Sequence, residues 1–171
     1  MTPLVFDIKR TSTTDGPGIR TAVFFKGCNL DCRWCHNPES KSPRVQLGLL
    51  TEKCVGCGVC RTVCVHPDSC VICGKCTENC PAEARKLYGR EYTADELHGI
   101  ILADRDYYLA TGGGVTFSGG EPLMQWSFVR DVLSRLSGVH AAIETSGFAP
   151  DDVFADAMSR CDLVKIGRAH V

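Results

Sequence analysis

Eleven of the twelve cysteines fall between Cys28 and Cys80, and Cys161 stands alone. Clustered thiols outside an oxidising compartment read as metal ligands or catalysts, because the thiolate is the ligand and nucleophile. A disulfide scaffold would spread its cysteines through a short secreted chain. The crowding here points to metal. Two segments repeat one pattern, Cys54-x2-Cys57-x2-Cys60-x3-Cys64 and Cys70-x2-Cys73-x2-Cys76-x3-Cys80-Pro81. This is the bacterial ferredoxin run, in which three thiolates grip one cubane and the fourth crosses to the other. It assigns Cys54, Cys57, Cys60 and Cys80 to one 4Fe–4S cluster, and Cys70, Cys73, Cys76 and Cys64 to a second. Two structural zinc sites would use as many cysteines. The spacing and the Cys80-Pro81 step favour clusters, although Cys64 is followed by Val65-His66-Pro67 rather than directly by proline.

Cys28-x3-Cys32-x2-Cys35 differs from these runs. Three thiolates on one tight loop leave one iron of a cubane without a protein ligand. Such an iron can take a chelating substrate, as a catalytic zinc keeps a vacant position. Cys32-Arg33-Trp34-Cys35-His36 also satisfies the C-x-x-C-H haem-attachment pattern. Haem attachment follows export, however, and it leaves Cys28 unexplained. His66, His98, His140 and His170 lack ligand spacing and read as ordinary surface or core residues. Cys161 reads as a small buried hydrophobe, and Trp126 and Phe128 as packing residues. Gly112-Gly113-Gly114 lacks the lysine of a phosphate loop and reads as a flexible entry to a strand.

The elements that must position these residues alternate. Leu4–Lys9 and Thr21–Lys26 read as strands, separated by the turn chemistry of Asp15-Gly16-Pro17-Gly18. From about Thr51 to Leu87 the chain is punctuated by Cys, Gly and Pro, with neither helical nor strand period, so its folding should depend on bound metal. Thr93-Ala94-Asp95-Glu96 is a capping box, which predicts a helix through about Tyr108. Gly114–Phe117 is strand-like and runs into Ser118-Gly119-Gly120-Glu121-Pro122. Gln125–Leu136 has apolar residues at helical spacing. Ala141–Thr145 reads as a strand, Asp151–Ser159 as a helix, and Leu163–Val164 as the start of another strand. Strands alternating with helices predict parallel βα units, whose ligands sit at the carboxyl ends of the strands. The Ser118–Pro122 and Glu144–Gly147 turns fall at such ends.

The chain has 171 residues, 44% of them hydrophobic, and a net charge of −1. This suffices for one core plus a small insertion. It lacks the basic footprint of a dedicated nucleic-acid binder. No apolar run is long enough for a transmembrane helix, and the N-terminus lacks the signature of a signal peptide, so a cytoplasmic, membrane-free protein is expected.

The Cys28/Cys32/Cys35 spacing, with Trp34 inside it, resembles the radical S-adenosylmethionine signature. Asp15-Gly-Pro-Gly-Ile-Arg-Thr21 and Gly27-Cys-Asn-Leu-Asp-Cys-Arg-Trp-Cys-His-Asn-Pro-Glu-Ser40 are similar to the activating enzymes of glycyl radical enzymes. Many of these carry a ferredoxin-like insertion after that loop. Thr116-Phe-Ser-Gly-Gly-Glu-Pro122 and Glu144-Thr-Ser-Gly147 match later motifs of the family in order and approximate spacing. The resemblance reaches to about Val164. It implies an α/β fold: a partial (β/α) radical-SAM barrel with an inserted ferredoxin-like two-cluster domain. Residues 1–50 would begin the core, 51–87 form the insertion, and 88–165 continue an incomplete core.

The implied reaction is reductive cleavage of S-adenosylmethionine to a 5′-deoxyadenosyl radical, which takes a hydrogen atom from a backbone glycine of a partner enzyme. Cys28, Cys32 and Cys35 would hold the catalytic cluster, giving three 4Fe–4S clusters in all. Trp34, Cys35 and His36 would border the nucleoside. Gly119 and Gly120 would let backbone approach the methionyl ammonium, and Glu121 would fix that turn. Glu144 and Thr145 fall where relatives hold a monovalent cation beside the methionyl carboxylate. The implied partners are a glycyl radical enzyme and a flavodoxin or ferredoxin electron donor, in an anaerobic setting. A radical S-adenosylmethionine enzyme acting on a small molecule or peptide would share the chemistry, but the Gly16–Thr21 and His36–Ser40 stretches argue against it. A ferredoxin-type electron-transfer protein leaves Cys28–Cys35 and Gly119–Glu121 unexplained.

Relatives continue past a strand like Asp162-Leu-Val164 with an Asp-x-Lys motif and further βα units. Ile166–Val171 instead coincide with the translation of a widely used sequencing-adapter sequence. Residues 166–171, with part of the Lys165 codon, are therefore expected to be a non-native tail on a truncated chain, of little or no activity and with no β pattern of their own.

Overall fold

Arg20–Phe25 (β2) is buried at every position, as expected of a strand covered on both faces. The computed structural model describes residues 3–167, and β2 lies near the middle of its main sheet. β2 pairs antiparallel with Leu4–Ser12 (β1) and parallel with Gly114–Gly119 (β6). Beyond β6 follow His140–Thr145 (β7) and Leu163–Ile166 (β8), each parallel to its neighbour. Gln46–Leu49 (β3) and Arg85–Tyr88 (β4) form a separate antiparallel pair. Arg90–Glu91 (β5) completes the six-stranded order β5-β1-β2-β6-β7-β8. The result is a mixed α/β fold with a mostly parallel sheet.

Val59–Thr62 (α1) and Lys75–Glu78 (α2) are single helical turns between β3 and β4, each lying within one half of the cysteine repeat and carrying its third cysteine. The segment from Thr51 to Leu87, which shows neither helical nor strand period, thus holds these two turns and the start of β4. Short turns and a four-residue strand leave no readable period, yet pairing from Gln46↔Tyr88 to Leu49↔Arg85 closes the segment on itself.

Ala94–Leu102 (α3) starts at the expected capping box, with Thr93 accepting from the Glu96 amide and Glu96 accepting from the Thr93 amide. The helix expected through Tyr108 breaks, and Arg105–Thr111 (α4) is separate. Asp104 causes the break. Its side chain is 1% exposed and turns into the sheet, where Arg10 Nε donates at 2.9 Å and Thr21 Oγ1 at 2.8 Å. A long-range network has overridden local helical propensity.

Trp126–Arg135 (α5) and Asp151–Arg160 (α6) cover the parallel strands. Val23, Phe25, Val115, Phe117 and Ile143 from the sheet meet Leu97, Ile101, Val129 and Val132 from the helices, all fully buried. Trp126 packs there and donates Nε1–H to Asp156, while Phe128 sits edge-on to Phe25.

Two further expectations change. Gly113 and Gly114 are a close contact, since Cβ atoms there would stand 1.8 Å from the Ile19 carbonyl oxygen and 1.9 Å from that of His140. Ile166, expected in a tail without β pattern, pairs with Thr145 at the end of β8. An edge strand needs only its main-chain groups to pair, so side-chain pattern does not decide. The remainder of that segment, from residue 168, lies outside the described residues.

Candidate functional site

Parallel register places Phe25 beside Gly119. The chain leaving β2 and the chain leaving β6 therefore emerge together. The first enters Lys26-Gly27-Cys28, and the second enters Gly120-Glu121. Gly119 has φ +108°, and a Cβ there would stand 2.4 Å from the Phe25 nitrogen; at Gly120 it would stand 2.2 Å from the Gly27 carbonyl oxygen. The two turns are laced by Gly120 N–H to Phe25 O at 2.8 Å and Glu121 N–H to Gly27 O at 2.9 Å.

The cysteine loop is folded back by its own downstream chain. Gly27 N–H donates to Ser40 O at 2.7 Å, and Cys28 N–H to Lys41 O at 3.1 Å. Lys41 Nζ donates to the Asp31 carboxylate and to the Cys32 carbonyl. This pairing pulls Asp31 down and pushes Lys41 up from their ordinary values. Lys26 is 1% exposed, and its Nζ donates to the Glu39 carbonyl and the Gln46 side chain. Burial lowers the Lys26 value and raises that of the Cys28 thiol.

Glu121 is 1% exposed. Its carboxylate accepts from Leu123 N–H at 3.0 Å, Thr145 Oγ1 at 2.6 Å, Ser146 N–H at 2.9 Å and Ser146 Oγ at 2.6 Å. It thus ties the turn after β6 to the turn after β7. Glu144 accepts from Ser118 Oγ at 2.7 Å and from Lys165 Nζ.

These strand ends enclose a cavity of about 410 Å³. Cys28, Cys32 and Cys35 line it with Trp34 and His36 on one side; Gly119, Gly120, Glu121, Glu144 and Thr145 line the other. Ser118, Ser146 and Lys165 also border it, and sequence reasoning did not assign them. The two serines lie inside the quoted motifs Thr116–Pro122 and Glu144–Gly147, which was the available signal. Lys26 and Lys41 were also missed, because each pairs with one main-chain carbonyl and one side chain that only the folded loop brings near.

The other cysteines gather around two separate cavities. One of about 280 Å³ is lined by Cys54, Cys57, Cys60 and Cys80. One of about 380 Å³ is lined by Cys64, Cys70, Cys73 and Cys76, with Cys60 and His66 beside them. Backbone hydrogen bonding from Arg85 is the largest influence lowering the Cys80 value, and the Ala84 N–H reaches its sulfur at 3.3 Å. Among the described residues, no three His, Cys, Asp or Glu side chains are placed to hold a single metal ion. All twelve cysteines are free thiols. Cys161 stands apart, packed on the core, with burial pushing its thiol up to about 11.

Residues 14–166 match the family model described as the 4Fe-4S single cluster domain. The isethionate sulfite-lyase activating enzyme of Desulfovibrio desulfuricans is 36% identical, over 98% of this chain and 60% of its own length. The benzylsuccinate synthase activating enzyme of Thauera aromatica is 40% identical over 91% of this chain and 53% of its own length. The 4-hydroxyphenylacetate decarboxylase activating enzyme of Clostridium scatologenes is 39% identical over 95% and 59%. The chain thus spans between 53% and 60% of the length of these three relatives. Among the described residues no helix is long and apolar enough to cross a membrane. The chain belongs to the 4Fe-4S single cluster domain family, and its homologues over most of its length are glycyl radical enzyme activating enzymes.

Proposed function

We propose that this chain carries the S-adenosylmethionine-binding core of an activase that installs a radical on a backbone glycine of a partner enzyme. The observation that carries the reading is the single cavity of about 410 Å³ lined by Cys28, Cys32 and Cys35, by Gly119 and Gly120, and by Glu144 and Thr145. Cys28, Cys32 and Cys35 would hold a 4Fe–4S cluster with one iron left for the amino and carboxylate groups of S-adenosylmethionine. Held by these three thiolates, the cluster would supply one-electron reductive cleavage of S-adenosylmethionine, the chemistry needed to take a hydrogen atom from a glycine.

The chain's own residues bind and orient. Gly119 and Gly120 lack the Cβ that would strike the backbone of Phe25 and Gly27, so the strand end can sit beside the cysteine loop, where the methionyl ammonium would be met. Trp34, Cys35 and His36 border the nucleoside. Glu121 holds the two turns at fixed separation, so the ligand meets a preorganised wall. A monovalent cation at Glu144 and Thr145 would compete with the Lys165 ammonium for the same carboxylate.

Residues 51–87 form the inserted ferredoxin-like unit in this reading, with residues 1–50 and 88–165 forming the core. Its two cysteine cavities would hold two further 4Fe–4S clusters, relaying electrons from a flavodoxin or ferredoxin or organising partner docking. The relatives' names, each an activating enzyme of a different lyase, synthase or decarboxylase, support a glycyl radical enzyme as partner.

Anaerobic reconstitution tests the proposal. The expected product carries about twelve irons and as much sulfide. Replacing Cys28, Cys32 and Cys35 by alanine should remove about one third of that iron, and with it the change that S-adenosylmethionine produces in the reduced-cluster EPR spectrum. Stoichiometric zinc without charge-transfer absorbance would overturn the reading.

A further inference from the structure

Arg85 opens β4 on the seam between the two cysteine cavities of the insertion. Its Nε is buried without a hydrogen-bond partner, the one such side-chain atom among the described residues. One of its Nη groups donates to Cys60 Sγ at 3.8 Å. Arg85 lines both the cavity of Cys54, Cys57, Cys60 and Cys80 and that of Cys64, Cys70, Cys73 and Cys76. No ion pair among the described residues includes it. A guanidinium is always charged and carries five donors in a fixed fork. A partly buried cation with an unused donor and a thiol contact, facing two thiol-lined cavities, is incomplete until anionic groups fill them.

Resting on the cluster reading above, we propose that Arg85 is the shared counter-charge of the two insertion clusters, raising the reduction potential of both. Reduction adds one negative charge to a cluster. A fixed positive charge in a poorly solvated position stabilises that product, and hydrogen bonds to ligand sulfur act in the same direction. Arg61 also lines both cavities but is exposed, so water screens it. It serves as the internal control.

The test is a potentiometric EPR titration of the reconstituted chain and its variants, with iron and sulfide counted in each. Arg85→Gln should retain wild-type iron while reduction of both insertion clusters becomes about tenfold less favourable, a downward shift of about 59 mV. Arg85→Lys should stay near wild type, and Arg61→Gln should shift less than Arg85→Gln. A fully loaded Arg85→Gln with both potentials unchanged, or with only one moved, overturns the proposal. If Arg85→Gln fails to load, Arg85→Lys decides. Wild-type loading and potentials support a charge role, and failure in Arg85→Lys as well shows mere packing and overturns it. A wild-type protein with iron for the first cluster alone would overturn the cluster reading itself, a separate result visible before any variant is titrated.

Discussion

Thr145 donates its hydroxyl hydrogen to Oε1 of Glu121 at 2.6 Å, joining the ends of two neighbouring parallel strands through one carboxylate. Glu121 takes three further donors, from Leu123 and Ser146. Glu121→Gln replaces one acceptor oxygen by an NH₂ group, which sets donor against donor in a buried place. The expected cost is about 1–3 kcal/mol of stability, read by urea denaturation, together with weaker S-adenosylmethionine binding. An unchanged denaturation midpoint would show that the carboxylate is not the tie between these turns.

Gly120→Ala addresses the other half of the contact. Its Cβ would stand 2.2 Å from the Gly27 oxygen, so Gly27 must move, and Cys28 moves with it. The expected outcome is selective loss of the first cluster, about one third of the iron, with the insertion clusters retained. Iron analysis and EPR of the reconstituted variant check it. Uniform loss from all three sites would point to global unfolding instead.

Asp104 predicts an acid limb in the stability profile. The hydrogen bond from Arg10 holds its carboxyl below the ordinary 3.8; burial opposes this and the Thr21 hydroxyl adds to it. A depressed folded value means that the folded state keeps the carboxylate ionised where the unfolded chain has taken up a proton. This contribution is complete above 3.8 and is lost as pH falls through the lower folded value. Asp104→Asn should flatten that limb and cost about 1–3 kcal/mol at neutral pH. Arg10 is 53% exposed, so the ion pair itself adds little to this figure. Thermal melts between acid and neutral pH are the measurement.

The Asp104 network also marks a limit of sequence reading. The Thr93 capping box and the apolar period after it are local, and α3 begins where they say. The break at Asp104 depends on Arg10, 94 positions away, and nothing near Leu102 announces it. The parallel strands were legible as short apolar runs, being covered on both faces, and the helices α5 and α6 by the period that burial of one face writes into a helix. β3 and β4 were not, since four-residue strands that pair with each other carry too little pattern. The three cysteine sets and the strand-end turns were readable from spacing. Lys26 and Lys41 look like surface lysines until their carbonyl partners are seen.

The division of labour proposed for the cysteine sets is separable by mutation. Replacing Cys57 and Cys73 should slow or abolish activation of the partner while S-adenosylmethionine still binds at an intact first cluster. Equilibrium binding measured beside a glycyl-radical EPR assay distinguishes the two. Loss of binding with the first cluster intact would refute the division.

Because β3 and β4 run antiparallel, the chain leaves the main sheet and returns to it at neighbouring points. Gly89 alone separates β4 from β5, which rejoins the sheet beside β1. Whatever lies between β3 and β4 spans no distance along the sheet, so the register of β2 on β6 is indifferent to its length. A segment attached in this manner is free to be shortened, duplicated or exchanged over evolutionary time while the cavity at the strand ends keeps its shape. Diversity among homologues should therefore concentrate between Leu49 and Arg85, as changes in length as well as in residue type.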